Sequence, residues 1–585
     1  MQLHARKRHA LARCRALIAA AAVAISLAAV LCLSSVPPGG LLAARARALQ
    51  LVPPRRLQVR LGAVNDTTAT KRPAAGGLSF STVEADAAVL LPDWEVLVLL
   101  RPDADATGNV TCTFRGGASS PARALGRIPE PATSERRAYA CVVPATARSH
   151  KRLRAPQLVL SSSPSSSKKM VTAAGGGGRL PEMLRWSGRL VYESTVVDGG
   201  DVLVFAKGVN PRQGVNRAAS DIQCVYYRAG GAKGDHVVAT LPAATSAQQV
   251  FRCPPPPTTP AAATGELRVT LAVTGQEPLP SLAVYTPPRS GTATAPEKKL
   301  ICACTMVRDV AKFLQEWVVY HAAVGVDRFY LYDNGSEDDL ADPVRELNSA
   351  GYDVSTVAWP WSKAQEAGFS HSAAAHRDSC EWMAFVDVDE FIFSPGWNQS
   401  ESPKELMLRS VVSSVKPDVG QVSLGCVDFG PSGQTTNPKE GVTQGYTCRR
   451  RNHERHKSLL RLHAVDDSLV NSIHHFALRP GFRGEWNKRV RVNHYKYQAW
   501  EEFKVKFRRR VSTYVADWTD PVNLKSKDRT PGLGFEAVEP VGWKHKFCEM
   551  NDTLLRDATR RWFGVAFGNG PAQRRTGTTT PHGSS

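Results

Sequence analysis

An apolar segment that runs into three carboxylates constrains the fold of this chain more than any other feature. Residues 382–386 are apolar, Asp387, Asp389 and Glu390 follow, and apolar residues resume at 391–393. Burying unpaired charge is unfavourable, so carboxylates at the end of a buried strand need a cationic partner. Two aspartates one residue apart at the carboxyl end of a parallel strand can present oxygens to Mn²⁺ or Mg²⁺, and the metal can hold nucleotide-sugar phosphates. We therefore predict a metal and nucleotide site at Asp387 and Asp389.

Strand-like and helix-like segments alternate around this acidic segment. Residues 300–307, 328–332 and 352–357 have the composition of buried strands. A helical pattern of apolar residues between the first two ends at Gly325, and residues 371–381 are helix-like. Alternation of strand and helix predicts a parallel, doubly wound α/β sheet.

The preceding part of the chain predicts an all-β, sandwich-like module at residues 81–290, because short apolar segments alternate there with Gly, Pro and Asn turns. The same number of residues separates Cys112 from Cys141 and Cys224 from Cys253. We predict these two pairs as disulfides, although coincidence of spacing stays open because pairing cannot be deduced from sequence.

The N-terminal segment predicts the compartment. Basic residues at 1–15 precede an uncharged stretch at 16–36 that is long enough to span a bilayer, which predicts a single transmembrane signal anchor with a cytosolic tail. A cleaved signal peptide with a small-residue site at 44–46 is the alternative. Lumenal placement agrees with Asn-x-Ser/Thr sequons at Asn65, Asn109, Asn334, Asn398 and Asn551.

Composition sets the remaining domain boundaries and partners. Residues 37–80 are predicted to be a stem, 298–568 the catalytic domain and 569–585 a disordered tail. The net charge is +21, but the basic residues are spread widely and no zinc-finger or aromatic RNA-binding pattern occurs, which argues against a nucleic-acid partner. Single-pass membrane association is expected. The sequence does not fix the oligomeric state, and a homodimer is compatible with it.

An ordered set of motifs resembles glycosyltransferase family 92, in particular its plant branch that includes the pectic galactan β-1,4-galactosyltransferases. The motifs are 304–309 (CTMVRD), 316–321 (EWVVYH), 332–336 (YDNGS), 385–391 (FVDVDEF), 491–495 (RVNHY) and 500–503 (WEEF). The resemblance implies a GT-A fold, a UDP-sugar donor with UDP-galactose first, Mn²⁺, and inversion at the anomeric carbon. It also implies a glycan acceptor such as a cell-wall polysaccharide and a type II Golgi membrane protein with a lumenal catalytic part.

The resemblance implies a nucleotide pocket at strand ends. Thr305 and Arg308 would line it, Asp333 would contact uracil or ribose, and Lys457 would contact phosphate. Arg308 as an exposed arginine at a helix start and Asp333 in an Asx turn stay open. The Asn334 sequon lies in this donor loop, so we expect it to be unglycosylated or poorly glycosylated.

A third metal ligand and a general base are also implied. His474 and His494 are equal candidates for the ligand, with His475 behind them, and a structural role for each stays open. An inverting transfer needs a carboxylate base. Asp428 is the first choice, and Glu390, Glu501 and Glu502 are the alternatives. A salt bridge stays open for Glu390.

Three further questions stay open at this stage. The Trp359-Pro360-Trp361 segment could stack on sugar rings or pack in the core. The arginines at 449–451 and 508–510 could attract an acidic polysaccharide or the UDP phosphates, or form a solvated face. Residues 496–500 depart from the family pattern, which makes galactan synthesis less secure than glycosyl transfer.

A lumenal carbohydrate-binding protein with an inactive transferase-like domain is the alternative function, and the β module could bind carbohydrate or support the catalytic domain.

Overall fold

The computed structural model describes residues 79–564, except for 84, 101–108, 129–135, 149–152, 163–181, 212–213, 229–234, 258–265, 288–296 and 507–538. The predicted anchor at 16–36, the stem at 37–80 up to residue 78, and the tail at 569–585 lie outside these residues. Within the described ranges, no helix has the length and apolar character needed to cross a bilayer.

The N-terminal part of the described chain folds into a first β-sandwich closed by a disulfide. Its two sheets hold Cys112 and Cys141 on facing strands, which the structure joins as predicted. One sheet has the order β1 (Ser79–Val83), β8 (Gln157–Ser162), β4 (Asn109–Thr113), β5 (Ser119–Pro121); the other has the order β6 (Arg123–Arg127), β7 (Arg137–Val142), β3 (Glu95–Leu99), β2 (Ala87–Leu90), β9 (Leu184–Arg185).

A second β-sandwich follows and repeats this arrangement. Cys224 and Cys253 again lie on facing sheets and form the predicted disulfide. One sheet has the order β10 (Leu190–Val196), β11 (Val202–Lys207), β15 (Val250–Cys253), β14 (Thr245–Ala247); the other has the order β13 (His236–Pro242), β12 (Ile222–Arg228), β16 (Leu267–Val273). The equal cysteine spacing therefore reflects a structural repeat of two disulfide-bonded sandwiches.

The C-terminal part contains a mixed sheet of nine strands among the described residues. The strands β17 to β20 pair in parallel, as the alternation of strand and helix predicts, and beyond β20 the pairs are antiparallel except for β22 with β24. The order is β19 (Val354–Ala358), β18 (Arg328–Asp333), β17 (Lys299–Val307), β20 (Cys380–Phe385), β23 (Cys448–Arg461), β22 (Val419–Phe429), β24 (Arg483–His494), β21 (Glu390–Phe393), with β25 (Met550–Asn551) on β23.

Helices surround this sheet and begin and end near sequence signals. They are α1 (Ala311–Val324), α2 (Ala341–Ser349), α3 (Gln365–Ala375), α4 (Leu406–Ser413), α5 (Val442–Gly445) and α6 (Leu554–Phe563). Helix α1 ends at Gly325 as predicted; Gly325 has a φ of 127°, and a Cβ there would clash with the Glu405 carbonyl. The helix predicted at 371–381 is instead α3, because Cys380 and its neighbours pair with β17 as strand β20.

The two faces of the mixed sheet pack against different layers, since successive side chains of a strand point to opposite faces. Ile301 and Ala303 of β17 face α1, α2, α4 and α6, whereas Cys302 and Cys304 face α3 and the sandwiches. The doubly wound prediction is therefore correct for one face, while on the other the sandwiches take most of the place that helices were expected to fill.

The sandwiches and the mixed sheet share one hydrophobic core. Trp361 stacks on Trp186 with ring centroids 5.6 Å apart, and Trp359 meets Phe205 edge-on at 5.6 Å. Both tryptophans of the Trp359-Pro360-Trp361 segment are fully buried. Of its two open interpretations, core packing is therefore correct, and the sandwich module supports the catalytic sheet directly.

Candidate active site

A cavity of about 580 Å³ opens where the parallel strands of the mixed sheet end. Its walls come from the loop after β17 (306–310), the turn after β20 (387–390), strand β23 and the 472–475 loop. These segments are far apart in sequence and meet because the carboxyl ends of parallel strands lie at one edge of a sheet.

The acidic turn after β20 is held by hydrogen bonds between its own residues. The Glu390 N–H donates to the Asp387 carbonyl, and the Asp387 N–H donates to Glu390 Oε2, each at 2.9 Å. Glu390 then starts β21 and has no solvent exposure. Burial raises the pKa of Glu390, an effect that the charge of Lys457 opposes.

Lys457 of β23 is a buried cation at the centre of this turn. Its Nζ lies 2.9 Å from Asp387 Oδ2, 2.8 Å from Glu390 Oε1 and 2.5 Å from His474 Nε2. The ammonium donates to Asp387 and His474, and its contact with Glu390 Oε1 is an ion pair. Burial opposes ionisation of Asp387, but the charge of Lys457 holds its pKa down at about 2.

His474 is oriented by the strand that carries the acidic turn. Its Nδ1 lies 3.0 Å from the Phe385 carbonyl, an arrangement in which Nδ1 donates and Nε2 faces Lys457 and, at 3.9 Å, Asp387. Burial and the neighbouring ammonium lower the pKa of His474 well below its ordinary value. The ring is therefore neutral, and its Nε2 lone pair accepts from Lys457.

His494 connects Asp389 to a buried carboxylate. Its Nε2 lies 3.3 Å from Asp389 Oδ2, and its Nδ1 lies 3.1 Å from Asp428 Oδ1. The second oxygen of Asp428 accepts a bond from Lys496 Nζ at 2.8 Å. Lys506 pairs with Asp389 from the helical residues 500–506. Burial lowers the pKa of His494, but the charges of Glu390 and Asp389 outweigh burial and raise it.

The donors present fit a divalent cation, although no three His, Cys, Asp or Glu side chains form a ready-made metal cage in the described ranges. Asp389 Oδ2 and His494 Nε2 are 3.3 Å apart, close to the separation of adjacent ligands with bonds of about 2.1 Å. A carboxylate behind a histidine, as Asp428 is behind His494, is the usual second contact of a metal-bound imidazole. Of the two equal candidates, His494 therefore has the stronger geometry.

The loop after β17 is held from outside the mixed sheet. Arg308 Nη2 lies 3.7 Å from Glu95 of the first sandwich and 3.9 Å from Glu337, and the Arg123 guanidinium donates to the Ser336 carbonyl at 2.6 Å. Burial raises the pKa of Glu95, with Arg308 opposing. The first sandwich therefore positions one wall of the cavity.

Comparison with known proteins gives this geometry a family. Residues 297–525 match the model of glycosyltransferase family 92. A family 92 protein of Oryza sativa subsp. japonica is 42% identical over 404 residues, covering 65% of this chain and 67% of that protein. This chain belongs to glycosyltransferase family 92. Family 92 proteins of Ricinus communis (43% identical; 63% of this chain, 66% of that protein) and Arabidopsis thaliana (41%; 63% and 65%) are also similar.

Solved structures resemble the chain more distantly. A Pyrobaculum calidifontis mannosyltransferase in complex with GDP-Man and Mn²⁺ is 13% identical and covers 47% of this chain and 77% of its own, with a TM-score of 0.23. The Staphylococcus aureus protein TarS (residues 1–349) is 11% identical and covers 37% and 65%, with a TM-score of 0.22. Membership of family 92 therefore rests on the sequence matches, which make the chain a glycosyltransferase.

Two of the four predicted nucleotide contacts of this family 92 chain line the cavity, and two do not. Arg308 and Lys457 line the cavity. Thr305 lies outside the lining and is buried in β17, because strand alternation turns its neighbour Met306 toward the cavity instead. Asp333 also lies outside the lining; its Oδ1 accepts bonds from Ser336 N at 2.8 Å and Ser336 Oγ at 2.7 Å, a local turn contact close to the Asx turn left open above but one residue longer.

The four carboxylates considered as the base of the family 92 reaction also divide into those that line the cavity and those that do not. Asp428 is buried behind His494, and Glu501 is largely exposed and pairs with Lys504 at 2.6 Å. Neither lines the cavity. Glu390 lines it but is fully enclosed, whereas Glu502 lines it, is partly exposed and pairs with Lys312 at 2.5 Å. The first preference for Asp428 therefore does not fit a base that must reach an acceptor.

Sequence reasoning missed several residues of the site. Lys506, Asp309 and Glu454 line the cavity but did not stand out in the sequence. Glu502 and Lys506 are four residues apart in one helical stretch, so a helical reading of 500–506 places both on one face. Asp309 has a φ of 48°, which is unusual outside glycine, and its Oδ1 accepts a bond from Glu337 N at 2.6 Å.

The remaining open alternatives are resolved only in part. Arg449 pairs with the buried Asp552 at 2.6 Å and Arg450 with Glu549 at 3.6 Å, so these two arginines hold β23 to the C-terminal segment, whereas Arg451 is exposed. The arginines at 508–510 lie outside the described residues. Asn334 Nδ2 donates to the carbonyls of Trp359 (2.7 Å) and Trp361 (3.0 Å), so both amide hydrogens are used, and a glycan would replace one of them. The prediction that Asn334 is not glycosylated is compatible with this.

Proposed function

We propose that this glycosyltransferase moves a hexose from a UDP-sugar to a glycan acceptor, with inversion and with a divalent cation at the acidic turn. The observation that carries the proposal is the convergence of the carboxylates that follow β20 with three lysines and four histidines in one cavity of about 580 Å³. That volume suits a bound small molecule, since ligand pockets measure roughly 300–1,000 Å³.

The cation and the lysines have complementary tasks in this proposal. Asp387, Asp389 and His494 would hold the cation, which when bound acts as a Lewis acid toward the leaving diphosphate. Burial lowers the pKa of Lys457, but its carboxylate neighbours raise it, so Lys457 stays charged and would add positive charge beside the leaving diphosphate. Asp428 keeps the His494 ring in position.

The base is assigned to Glu502. An inverting transfer needs a carboxylate that reaches the acceptor hydroxyl opposite the leaving group. Of the four carboxylates considered, Glu502 combines a place in the cavity wall with partial exposure. Its side chain also contacts Lys312, which lies 2.5 Å away.

The sugar, the acceptor and the location come from the family resemblance. UDP-galactose is the first donor to test, Mn²⁺ the first cation, and a cell-wall galactan the first acceptor. A Golgi membrane location with a lumenal catalytic part agrees with the disulfides, since these persist in oxidising compartments.

The test is a donor scan on the purified full-length protein with product analysis by NMR. We expect UDP release with one UDP-sugar in the presence of Mn²⁺, and a β-linkage in the product from an α-linked donor. An α-linked product would exclude inversion. Glu502→Gln should keep donor affinity and lose most of the transfer rate, whereas Glu501→Gln serves as the matched control because Glu501 lies outside the cavity.

A second candidate is a carbohydrate-binding protein whose transferase domain is inactive. One observation favours it: Lys457 and Lys506 already neutralise Asp387 and Asp389 by direct ion pairs. This reading expects glycan binding without turnover of any UDP-sugar.

A further inference from the structure

An exposed tryptophan lies beside the cavity. Trp486 of β24 is 57% exposed to solvent. Among the strongly exposed large apolar residues in the described part of the chain, it is the one with an aromatic side chain. Its sequence neighbours 483–485 and 487–489 are Arg, Gly, Glu, Asn, Lys and Arg, so no apolar cluster of its own strand surrounds it. A large apolar side chain left in water on a polar strand indicates a binding surface.

Two histidines connect Trp486 to the interior of the cavity. The Trp486 and His456 ring centroids are 4.8 Å apart, and those of His456 and His475 are 4.1 Å apart. His456 and His475 both line the cavity, and His475 Nε2 lies 3.3 Å from the His456 carbonyl. The three rings form a continuous aromatic strip from solvent to the site.

Trp486, the exposed end of the strip, lies at a distance from His494 that suits a chain of sugars. On the neighbouring strand β22, Ser423 is opposite Trp486 and Asp428 is opposite His494. Five residues from Ser423 to Asp428 correspond to about 17 Å at the usual strand rise. Several units of an extended oligosaccharide span this length, whereas the reacting sugar alone does not.

We propose that Trp486, His456 and His475 form the acceptor subsite, on which pyranose rings of a neutral glycan chain stack as its end enters the cavity. The inference rests on the proposed function and names its acceptor side. Aromatic faces pack against the C–H faces of pyranose rings while the sugar hydroxyls stay in water. The alternative occupant, the uracil ring of the donor, would make the strip part of the donor site.

The test separates acceptor from donor effects in the full-length protein. The probes are UDP-galactose and β-1,4-linked galactotetraose, and the readout is KM for each substrate. Trp486→Ala should raise the acceptor KM about tenfold with an unchanged donor KM, and Trp486→Phe should restore most of the affinity. Leu406→Ala on α4, a residue that is 71% exposed and outside the cavity lining, is the matched surface control.

The outcomes are distinct. An unchanged acceptor KM in Trp486→Ala overturns the inference, and a donor KM that rises equally assigns the strip to the nucleotide and also overturns it. UDP release without any extension of galactotetraose overturns this acceptor class while the transferase stands. No UDP release by the wild type with any UDP-sugar removes the proposed function itself. His456→Ala gives a second test, with the same expected direction, if Trp486→Ala fails to fold.

Discussion

Gln248 of the second sandwich binds both backbone groups of Asn471, which directly precedes the cavity loop. Gln248 Nε2 donates to the Asn471 carbonyl at 2.6 Å, and the Asn471 N–H donates to Gln248 Oε1 at 3.1 Å. The Asn471 side chain in turn donates to the Glu366 carbonyl (3.0 Å) and to Ser370 Oγ (2.8 Å) of α3. Residues 472–475, including His474, follow and line the cavity. The sandwich therefore fixes the segment that carries His474.

Removing this contact should reduce activity more than a change elsewhere on the sandwich. Gln248→Ala leaves polar backbone groups of Asn471 without these bonds, a loss of about 1–3 kcal/mol in folding free energy. We expect a lower melting temperature and a reduced kcat/KM for UDP-sugar turnover. Gln276→Ala is the matched control, because Gln276 bonds only the exposed Arg189 among the contacts of its side chain that the structure describes. Equal effects of the two substitutions on kcat/KM would contradict the account.

The shared core predicts that the sandwiches and the mixed sheet unfold together. Trp361→Ala should lower the free energy of unfolding by about 3–5 kcal/mol, because it empties a fully enclosed site against Trp186 and Tyr192. Trp486→Ala, the same substitution at an exposed position, should change it by no more than about 0.5 kcal/mol. Chemical denaturation followed by fluorescence measures both. Two separate unfolding transitions in the wild type would show that the layers do not share a core.

A positioning role for Asp428 can be distinguished from a role as base. Asp428→Asn weakens the hold on His494, so the Mn²⁺ concentration that gives half-maximal UDP release should rise about tenfold or more. Asp418→Asn, on the surface just before the same strand, is the control. If kcat falls while the Mn²⁺ dependence does not move, Asp428 acts on the acceptor and the assignment to Glu502 is wrong.

Buried neutral histidines predict loss of stability in acid. His321 Nδ1 lies 2.9 Å from the Trp317 carbonyl and its Nε2 accepts from the Ile392 N–H at 3.3 Å, so the neutral ring uses both nitrogens. Burial lowers the pKa of His321 to about 4 from the ordinary value near 6.5. The folded state therefore binds fewer protons than the unfolded chain between these values, and stability falls as pH drops from about 6.5 to about 4.

We expect His321 alone to lower the free energy of unfolding by about 3 kcal/mol over this pH range, because folding shifts its pKa by roughly two units or slightly more. Measurements of unfolding free energy between pH 7 and pH 4 check it. His321→Gln can donate and accept without titrating, so its stability should vary less over this range. An identical pH slope in wild type and His321→Gln would contradict the assignment of the slope to this ring.

The sequence predicted the local parts of this protein and missed those that depend on distant contacts. The strand before Asp387, the end of α1 at Gly325 and both predicted disulfides follow from patterns within short segments. The partners of Asn471 and Trp361 lie more than a hundred residues away, in the sandwiches, and no local pattern indicates them. Asp428 was ranked as a base from its place after a strand, because its burial behind His494 depends on the parallel pairing of β22 with β24.

The central claim is that the acidic turn after β20 is the metal-dependent centre of a UDP-sugar transferase. Its most direct test is UDP release from UDP-galactose by the full-length protein with Mn²⁺ and with EDTA, in the wild type, Asp389→Asn and Asp418→Asn. We predict release that EDTA abolishes, that falls about a hundredfold or more in Asp389→Asn and that persists in Asp418→Asn. Release that is unchanged by EDTA and by Asp389→Asn would contradict the claim.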